Sequence, residues 1–361
     1  MASLSEVANR ASVSVTTASM VLNGSKRSDR ISEGCAMRVR EAARQLGYVP
    51  NYHARSMKLG RAEAVGVSVE FRPTSGPERG ELGGSYFGTL VGAVEVSARR
   101  AGYAMTMIGA DERVRALHRG IQAIRQRRID GLVVLAALDT VPLAFDSTPV
   151  GREPVVVVEY SGPTQFPVVD WDLAYGVGLA IEHLVAMGHR RMLWLGPVQG
   201  PDTPPQVREK LVMEAAQRAG LQSEMCRFAQ PWSSNAQPEE AIGDAAAEAL
   251  ALYIGEHGSA RLSAIVCYSD ATAIGAYRAL QAAALRVPKD VSVIGFDDIE
   301  ARLMVPKLTT VDHMLYEMGR RATVLLLEAV KHPENWPQYL GRRELVTPEL
   351  VVRQSTGPAK S

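Results

Sequence analysis

The first fifty residues carry apolar positions at helical spacing in three short runs. Leu4, Val7, Ala8 and Ala11 mark one face of a first helix, which Ser12-Val13-Ser14 interrupts. Ser14 is placed to cap a second helix, Val15 to Leu22, its hydroxyl accepting from a free N–H of the first turn, and Asn23-Gly24 stops that helix. After a loop from Ser25 to Arg30, a third helix is predicted from Ser32 to Leu46. Val39, Ala42, Ala43 and Leu46 face inward, Arg38, Arg40 and Arg44 lie outside, and Gly47 caps the end. Pro50 opens a short fourth segment from Asn51 to Leu59, which Gly60 ends.

From residue 64 the pattern changes to short β-branched runs alternating with longer amphipathic helices, as in parallel α/β architecture. Strands are predicted at Val65–Val69, Ala104–Ile108, Leu132–Leu135, Val155–Val158, Met192–Leu195, Ala264–Cys267 and Val291–Ile294. Helices are predicted at Phe87–Arg100, Val114–Gln126, Tyr175–Met187, Gln206–Ala219, Ala241–His257, Thr272–Ala284 and Tyr316–Val330. Seven strand units exceed one ordinary sheet, so the expected fold is a small all-α head followed by an α/β core. The core is read as two similar parallel-sheet subdomains with a ligand cleft between them.

Charge sharpens this division. Residues 1–60 hold nine Lys and Arg against four acids, a balance of +5, while the remainder of the 361-residue chain stands at −4. A basic head on a slightly acidic body points to a polyanion-binding module joined to a domain that is not one. Cys35, Cys226 and Cys267 have irregular, distant spacings without metal-ligand partners, so plain thiols in a reducing compartment are expected. The start, MASLSEVANR, lacks the basic and apolar regions of an export signal, and the longest apolar run, Leu132 to Leu138, is far short of a membrane span. The expectation is a cytoplasmic protein with no membrane association.

Enzyme signatures are missing. Gly176-Val177-Gly178 is followed by Ile181 where a dinucleotide fingerprint needs its third glycine, and there is no phosphate loop, HExxH or GxSxG. Asp312-His313 and Glu182-His183 pair acid with imidazole, but sequence neighbours point different ways, so surface or helix-cap roles are expected for both. His189, with Arg190 and Arg191, is read as a complement to a helix C-terminus. No enzymatic activity, cofactor or metal is expected.

The head is more informative. Two helices joined by a three-residue turn form a helix-turn-helix, whose second helix enters the DNA major groove. Its outward residues include Val15, Thr16 and Met20, with Ser14, Thr17 and Asn23 beside them. The Thr16 hydroxyl and Val15 methyls suit base-edge donors, acceptors and thymine methyls.

At this point whole motifs resemble a known family. Ser3-Leu4-Ser5-Glu6-Val7-Ala8, Thr17-Ala18-Ser19-Met20-Val21-Leu22-Asn23 and Gly47-Tyr48-Val49-Pro50-Asn51 look like the DNA-binding head of the lactose/galactose-repressor family of bacterial transcription regulators. The likeness continues through Arg128-Ile129-Asp130-Gly131-Leu132, Met187-Gly188-His189-Arg190-Arg191, Val287 to Asp298 and Leu308-Thr309-Thr310. The resemblance implies a helix-turn-helix head over 1–47, a hinge helix over 48–60 and a periplasmic-binding-protein-like core from 61. The N-subdomain is then about 61–170 with 313–335, and the C-subdomain about 171–312 with 336–355.

It also implies a homodimeric, effector-controlled repressor of a pseudo-palindromic operator, with a sugar as the expected effector. A sugar-binding transport protein shares the core and is the alternative, opposed by the basic head. In the hinge, Asn51, Ala54, Met57 and Lys58 are the implied DNA contacts. Met57 stands where the family inserts leucine into the minor groove, and an apolar wedge there kinks the duplex. A helix of two turns is marginal alone and is expected to form only when paired on DNA.

The implied effector residues are Tyr86, Asp172, Arg208, Trp232, Ser269 and Asp297. Arg208 offers a planar fork to vicinal hydroxyls or a carboxylate. Its alternative is a surface ion pair with Glu209 or Glu214, and Asp297 has a turn cap as its alternative. Trp232 is the expected stacking platform. Ser269 replaces the family's usual asparagine and Ser12 a turn glycine. The segment Arg72 to Gly84 is longer and richer in glycine than usual.

Overall fold

The computed structural model describes residues 2–23, 31–51, 56, 60–70, 72–73, 80–81, 84–110, 113–139, 153–160, 162, 164–198, 204–229 and 239–360. It divides into two compact units, residues 1–63 and 64–361.

In the first unit, α1 (Leu4–Arg10) begins with a reciprocal cap: the Ser3 hydroxyl accepts from Glu6 N, and the Glu6 carboxylate accepts from Ser3 N. The turn after α1 places Ser12 at φ 54, in the left-handed region, which explains why glycine suits this position. Ser14 then caps α2 (Val15–Leu22), as expected, accepting from Thr17 N at 3.1 Å. In α3 (Glu33–Leu46), Gly47 ends the helix at φ 60. Nine small side chains, among them Val7, Ala8, Ala18, Val21, Val39 and Ala42, form the buried centre. Their small volume lets three short helices approach closely. Most of the expected fourth helix, including Ala54, Met57 and Lys58, lies outside the described residues.

The second unit is built on two six-stranded sheets. The first takes β1 (Ala64–Glu70), β4 (Ala104–Ala110), β5 (Gly131–Asp139), β6 (Val155–Tyr160), β7 (Val168–Trp171) and β13 (Arg343–Val346), in the order β13-β7-β6-β5-β1-β4. A small antiparallel pair, β2 (Arg72–Pro73) and β3 (Gly80–Glu81), stands apart. The second sheet takes β8 (Arg191–Val198), β9 (Gln222–Ala229), β10 (Ala264–Cys267), β11 (Ser292–Phe296), β12 (Thr309–Asp312) and β14 (Glu349–Val351), in the order β14-β12-β11-β10-β8-β9. All pairings within these two sheets are parallel except that of β14 with β12.

The helices are α4 (Gly84–Arg100), α5 (Arg113–Arg125), α6 (Leu173–Ala186), α7 (Pro204–Arg218), α8 (Glu239–His257), α9 (Asp270–Ala282) and α10 (Leu315–Lys331). All seven predicted helices and all seven predicted strands are present, to within a few residues. Continuous apolar runs such as Val155–Val158 are buried throughout, as strands covered on both faces must be. The remaining strands of the two sheets escaped the pattern because they are short or lie at edges, where polar residues are tolerated. In β9, Met225 and Arg227 face water while Cys226 and Phe228 are buried. Arg343–Val346 pairs with β7, so this piece of 336–355 joins the first sheet rather than the second.

His189 is also placed differently from the sequence expectation. It is buried, not set against a helix end in water. Its Nε2 donates to the Gly357 carbonyl at 3.1 Å, which leaves Nδ1 to accept from the Ser263 hydroxyl at 2.6 Å. The imidazole thus ties the C-terminal segment to the second sheet. Among the described residues, no helix is long and apolar enough to cross a membrane.

Candidate functional site

On α2 the inward positions Ala18 and Val21 are buried, and the opposite face of the first turn is open: Ser14, Val15 and Thr16 are exposed, with Val15 at 45%. Thr17, Met20 and Asn23 are half-buried. Three of these have structural employment as well. Ser14 caps the helix and meets the Thr17 hydroxyl at 2.8 Å, and the Asn23 side-chain amide donates to Ser19 O at 2.9 Å. Val15 and Thr16 have no such employment, so they lead the surface that this helix presents. Asn51 is exposed.

The core gathers a second constellation at the carboxyl ends of its parallel strands, where α/β sheets bind ligands. Glu159 is the penultimate residue of β6 and Trp171 the last of β7. Tyr268, Asp297 and His313 directly follow β10, β11 and β12. Arg208 reaches them from α7. It is buried at 3% exposure and donates from Nη1 to the Tyr268 carbonyl at 2.5 Å. Its guanidinium carbon stands 4.6 Å from the centre of the Tyr268 ring, 4.9 Å from Phe296 and 5.4 Å from Trp171. Contacts of this kind hold a cation against aromatic faces. The surface ion pair is not formed: Glu209 pairs with Arg227 and Glu214 with Arg218.

Two acids face this cation. Glu159 is buried and left-handed, at φ 58, and its Oε2 accepts from the Tyr86 hydroxyl of α4. Burial and then the neighbouring Asp170 carboxylate push its carboxyl up to about 8, against the pull of Tyr86, Arg208 and the Trp171 indole. Asp297 sits at φ 113, and its carboxyl is held well above the usual range, by burial first and then by Asp270. Backbone strain of this kind, in two acids that share one site, belongs with function.

Asp270 fixes the strained turn after β11. Its carboxylate accepts from Ile299 N at 2.9 Å, Ala301 N at 3.3 Å and the Thr310 hydroxyl at 2.7 Å. Gly295 makes room, since a Cβ there would stand 2.4 Å from Asp270 Oδ1.

His313, expected at the surface or in a helix cap, is buried instead and lies flat on Trp171. Its neighbour Asp312 is no helix cap either: its carboxylate accepts from Met314 N at 2.7 Å in the turn ahead of α10, whose N-cap Met314 has no side-chain cap. Burial and the Arg208 charge hold the His313 imidazole neutral, well below its ordinary pKa. Its Nδ1 is 3.4 Å from Asp297 Oδ1.

The structure thus brings together Tyr86, Arg208 and Asp297 of the sequence-predicted effector residues. Asp172 and Ser269 lie beside the cluster, next to Trp171 and Tyr268. Their oxygens cap α6 and α9, accepting from Tyr175 N at 2.9 Å and Thr272 N at 3.2 Å. Trp232 lies outside the described residues. Sequence reading missed Glu159, Trp171, Tyr268, Phe296 and His313. For Glu159 and Tyr268 the signal was available, since each directly follows a predicted strand run, Val155–Val158 and Ala264–Cys267, and strand ends are where such sites form. No group of three or more potential metal ligands occurs among the described residues.

A helix-turn-helix head and a core with a buried polar cluster at its strand ends define a two-part DNA-binding regulator. Comparison with known proteins agrees for both parts. Residues 3–51 match the signature of bacterial regulatory proteins of the lacI family, and residues 181–356 match the periplasmic binding protein-like domain. The chain thus carries a helix-turn-helix domain of the lacI family followed by a periplasmic-binding-protein-like domain.

It is 28% identical over 360 residues to the HTH-type transcriptional repressor PurR of Haemophilus influenzae (strain PittEE), covering 98% of each chain. It is 29% identical to the ribose operon repressor of Escherichia coli (strain K12), covering 98% of this chain and 100% of that protein. The fold matches the lac repressor dimer bound to operator and the anti-inducer ONPF, with a TM-score of 0.75 at 24% identity and 99% of both chains covered. It also matches the transcriptional regulator CelR in complex with cellobiose, with a TM-score of 0.61 at 24% identity, covering 98% of this chain and all of that one.

Proposed function

We propose that the protein is a sequence-specific transcriptional repressor that binds a pseudo-palindromic operator as a homodimer and whose operator affinity is set by a small molecule, a sugar, held in its core. The buried cluster around Arg208 carries this reading. A buried polar constellation at the ends of parallel strands, in which Glu159 Oε1 and Arg208 Nε find no hydrogen-bond partner among the described residues, has the properties of a ligand site. The relatives named above are repressors, which agrees with it.

In the head, Val15 and Thr16 read base edges, helped by Met20, Thr17, Asn23 and Ser14. Asn51, Ala54, Met57 and Lys58 act in the hinge, with Met57 as the minor-groove wedge. In the core, Arg208, Asp297, Glu159 and Tyr86 hold the effector, with Asp172, Ser269 and Trp232 around them. The protein acts in the cytoplasm and catalyses no reaction. Selection of genomic fragments by the purified protein, followed by footprinting, tests the first half. Recovery of two-fold symmetric sites supports the dimeric repressor, and recovery of single, asymmetric half-sites opposes it.

A further inference from the structure

We infer that the core carries a DNA-contact surface of its own, the amino edge of the first sheet, where Arg100, Arg127 and Arg128 engage backbone phosphates of the DNA that the head holds. This rests on reading the head as a DNA-binding module.

Positive charge is concentrated at this edge. Residues 99–128 hold eight arginines against two acids, a balance of +6, on a body that as a whole stands at −4. The fold brings the two ends of this segment together. Ala104 opens β4 and Gly131 opens β5, and both strands flank the start of β1, with Ala64 in register with Ala104 and Val65 with Gly131. The arginines that end α4 and those that follow α5 therefore lie on either side of Ala64. Arg99 is answered by Glu95 and Arg125 by Glu153. Arg100, Arg127 and Arg128 are exposed and form no ion pair among the described residues, and the same holds for Arg61, three residues before β1. The neighbouring acids Glu63 and Asp130 are half-buried.

The backbone at Arg127 is an independent sign. Among the described residues, six helices end in the same turn, in which one residue takes a left-handed φ and the next donates its N–H to the carbonyl five residues back. Gly47, Gly102, Gly188 and Gly220 fill the left-handed position in four of them, Ala284 in a fifth and Arg127, at φ 57, in the sixth. Glycine adopts this conformation without strain, so the turn itself gains nothing from an arginine. A costly side chain at an exposed turn belongs with function rather than folding.

The DNA that the head binds is the polyanion this surface fits. Guanidinium forks match phosphate oxygens bidentately. Ala64 is also where the chain arrives from the head: twelve residues, 52–63, join it to Asn51, a span of at most roughly 45 Å. DNA gripped by the head is thereby presented to these turns at an effective concentration on the order of millimolar. Phosphate contacts too weak to hold DNA alone then add to its affinity, and they do so without reading its sequence.

The experiment uses the full-length protein with an operator duplex recovered by selection and a random duplex of equal length, and reads Kd from about 50 to 200 mM salt. Arg127→Gly, Arg128→Gln and Arg100→Gln should each lower the slope of log Kd against log salt by about 1 to 2, for one contact per protomer of a dimer, and weaken both duplexes alike by about three- to tenfold. Arg127→Gly should do so with a Tm at or above that of the parent, which separates lost contact from a damaged fold. Arg191→Gln, which loses one exposed charge at the start of β8 in the second sheet, should keep the parent slope. Parent slopes in all three first-sheet variants, in a protein that binds operator, overturn the inference and assign the patch to an acidic protein surface instead. An equal loss of slope in Arg191→Gln also overturns it, since net charge alone would then be responsible. Salt-independent binding by the wild-type protein, or none, overturns the reading of the head and the inference with it.

Discussion

His313 lies flat on Trp171, with ring centroids 3.8 Å apart and planes 19° from parallel. Trp171 ends a strand of the first sheet and His313 follows a strand of the second, so this stack joins the two halves of the core at the Arg208 cluster. Replacing His313 by alanine removes a buried ring and leaves a cavity, at a cost of about 2–4 kcal/mol by analogy with other large-to-small core substitutions. The expected outcome is a lower Tm by several degrees in calorimetry, with operator binding by the head retained. An unchanged Tm would mean that the stack contributes nothing.

The ionisations around this stack make stability depend on pH in two opposing ways. Glu159 has its carboxyl at about 8 in the folded protein against 4.5 unfolded. The folded state therefore holds a proton that the unfolded chain releases, and stability falls as pH rises across that window. Glu159→Gln should flatten the fall and raise Tm at pH 8 by roughly 2–6 °C. The slope that remains includes Asp297, Asp270, Asp170 and Asp312, whose carboxyls are also raised, each by burial first. His313 acts oppositely, because its folded pKa is depressed: below about 6.5 the unfolded chain takes up a proton that the folded one refuses, so acid destabilises. Melting curves from pH 5 to 9 separate the two effects.

Much of this was legible in the sequence, for reasons that differ by element. The head was, since Ser14, the Ala and Val spacing and Gly47 are local signals that tertiary packing does not override. The central strands were, because a parallel strand buried on both faces needs a continuous apolar run. Strand β9 was not, since its edge position lets polar residues alternate with Cys226 and Phe228. His313 was missed because its neighbour Asp312 faces a different environment, and only the stack on Trp171 from the other sheet explains its burial. Arg208 and Asp297 came from resemblance alone, and their meeting depends on the crossing of the chain between sheets.

Ser12 holds a left-handed backbone in the helix-turn-helix turn. A side chain in that conformation costs on the order of 1 kcal/mol, which glycine avoids in part. Ser12→Gly should therefore slow amide exchange in α1 and α2, and Ser12→Val should speed it. Equal protection in all three proteins would contradict the strain.

Recognition should be carried by the open first turn of α2. Thr16→Ala is expected to weaken operator binding by about 1–3 kcal/mol while leaving the salt dependence unchanged, since no phosphate-neutralising charge is lost. Lys58→Ala should do the reverse, flattening the slope of affinity against salt. Equal losses on operator and random DNA for Thr16→Ala would remove it from base readout.

The central claim is that ligand binding around Arg208 governs operator binding by the head. Operator affinity, measured with and without the best-binding sugar for wild type and Arg208→Ala, tests it most directly. In wild type the ligand should change operator affinity at least about fivefold, and operator should change ligand affinity by the same factor, as linkage requires. Arg208→Ala should bind operator as the parent does and lose the response. A response of the same size in Arg208→Ala, or no response in wild type to a ligand that demonstrably binds, would contradict the account.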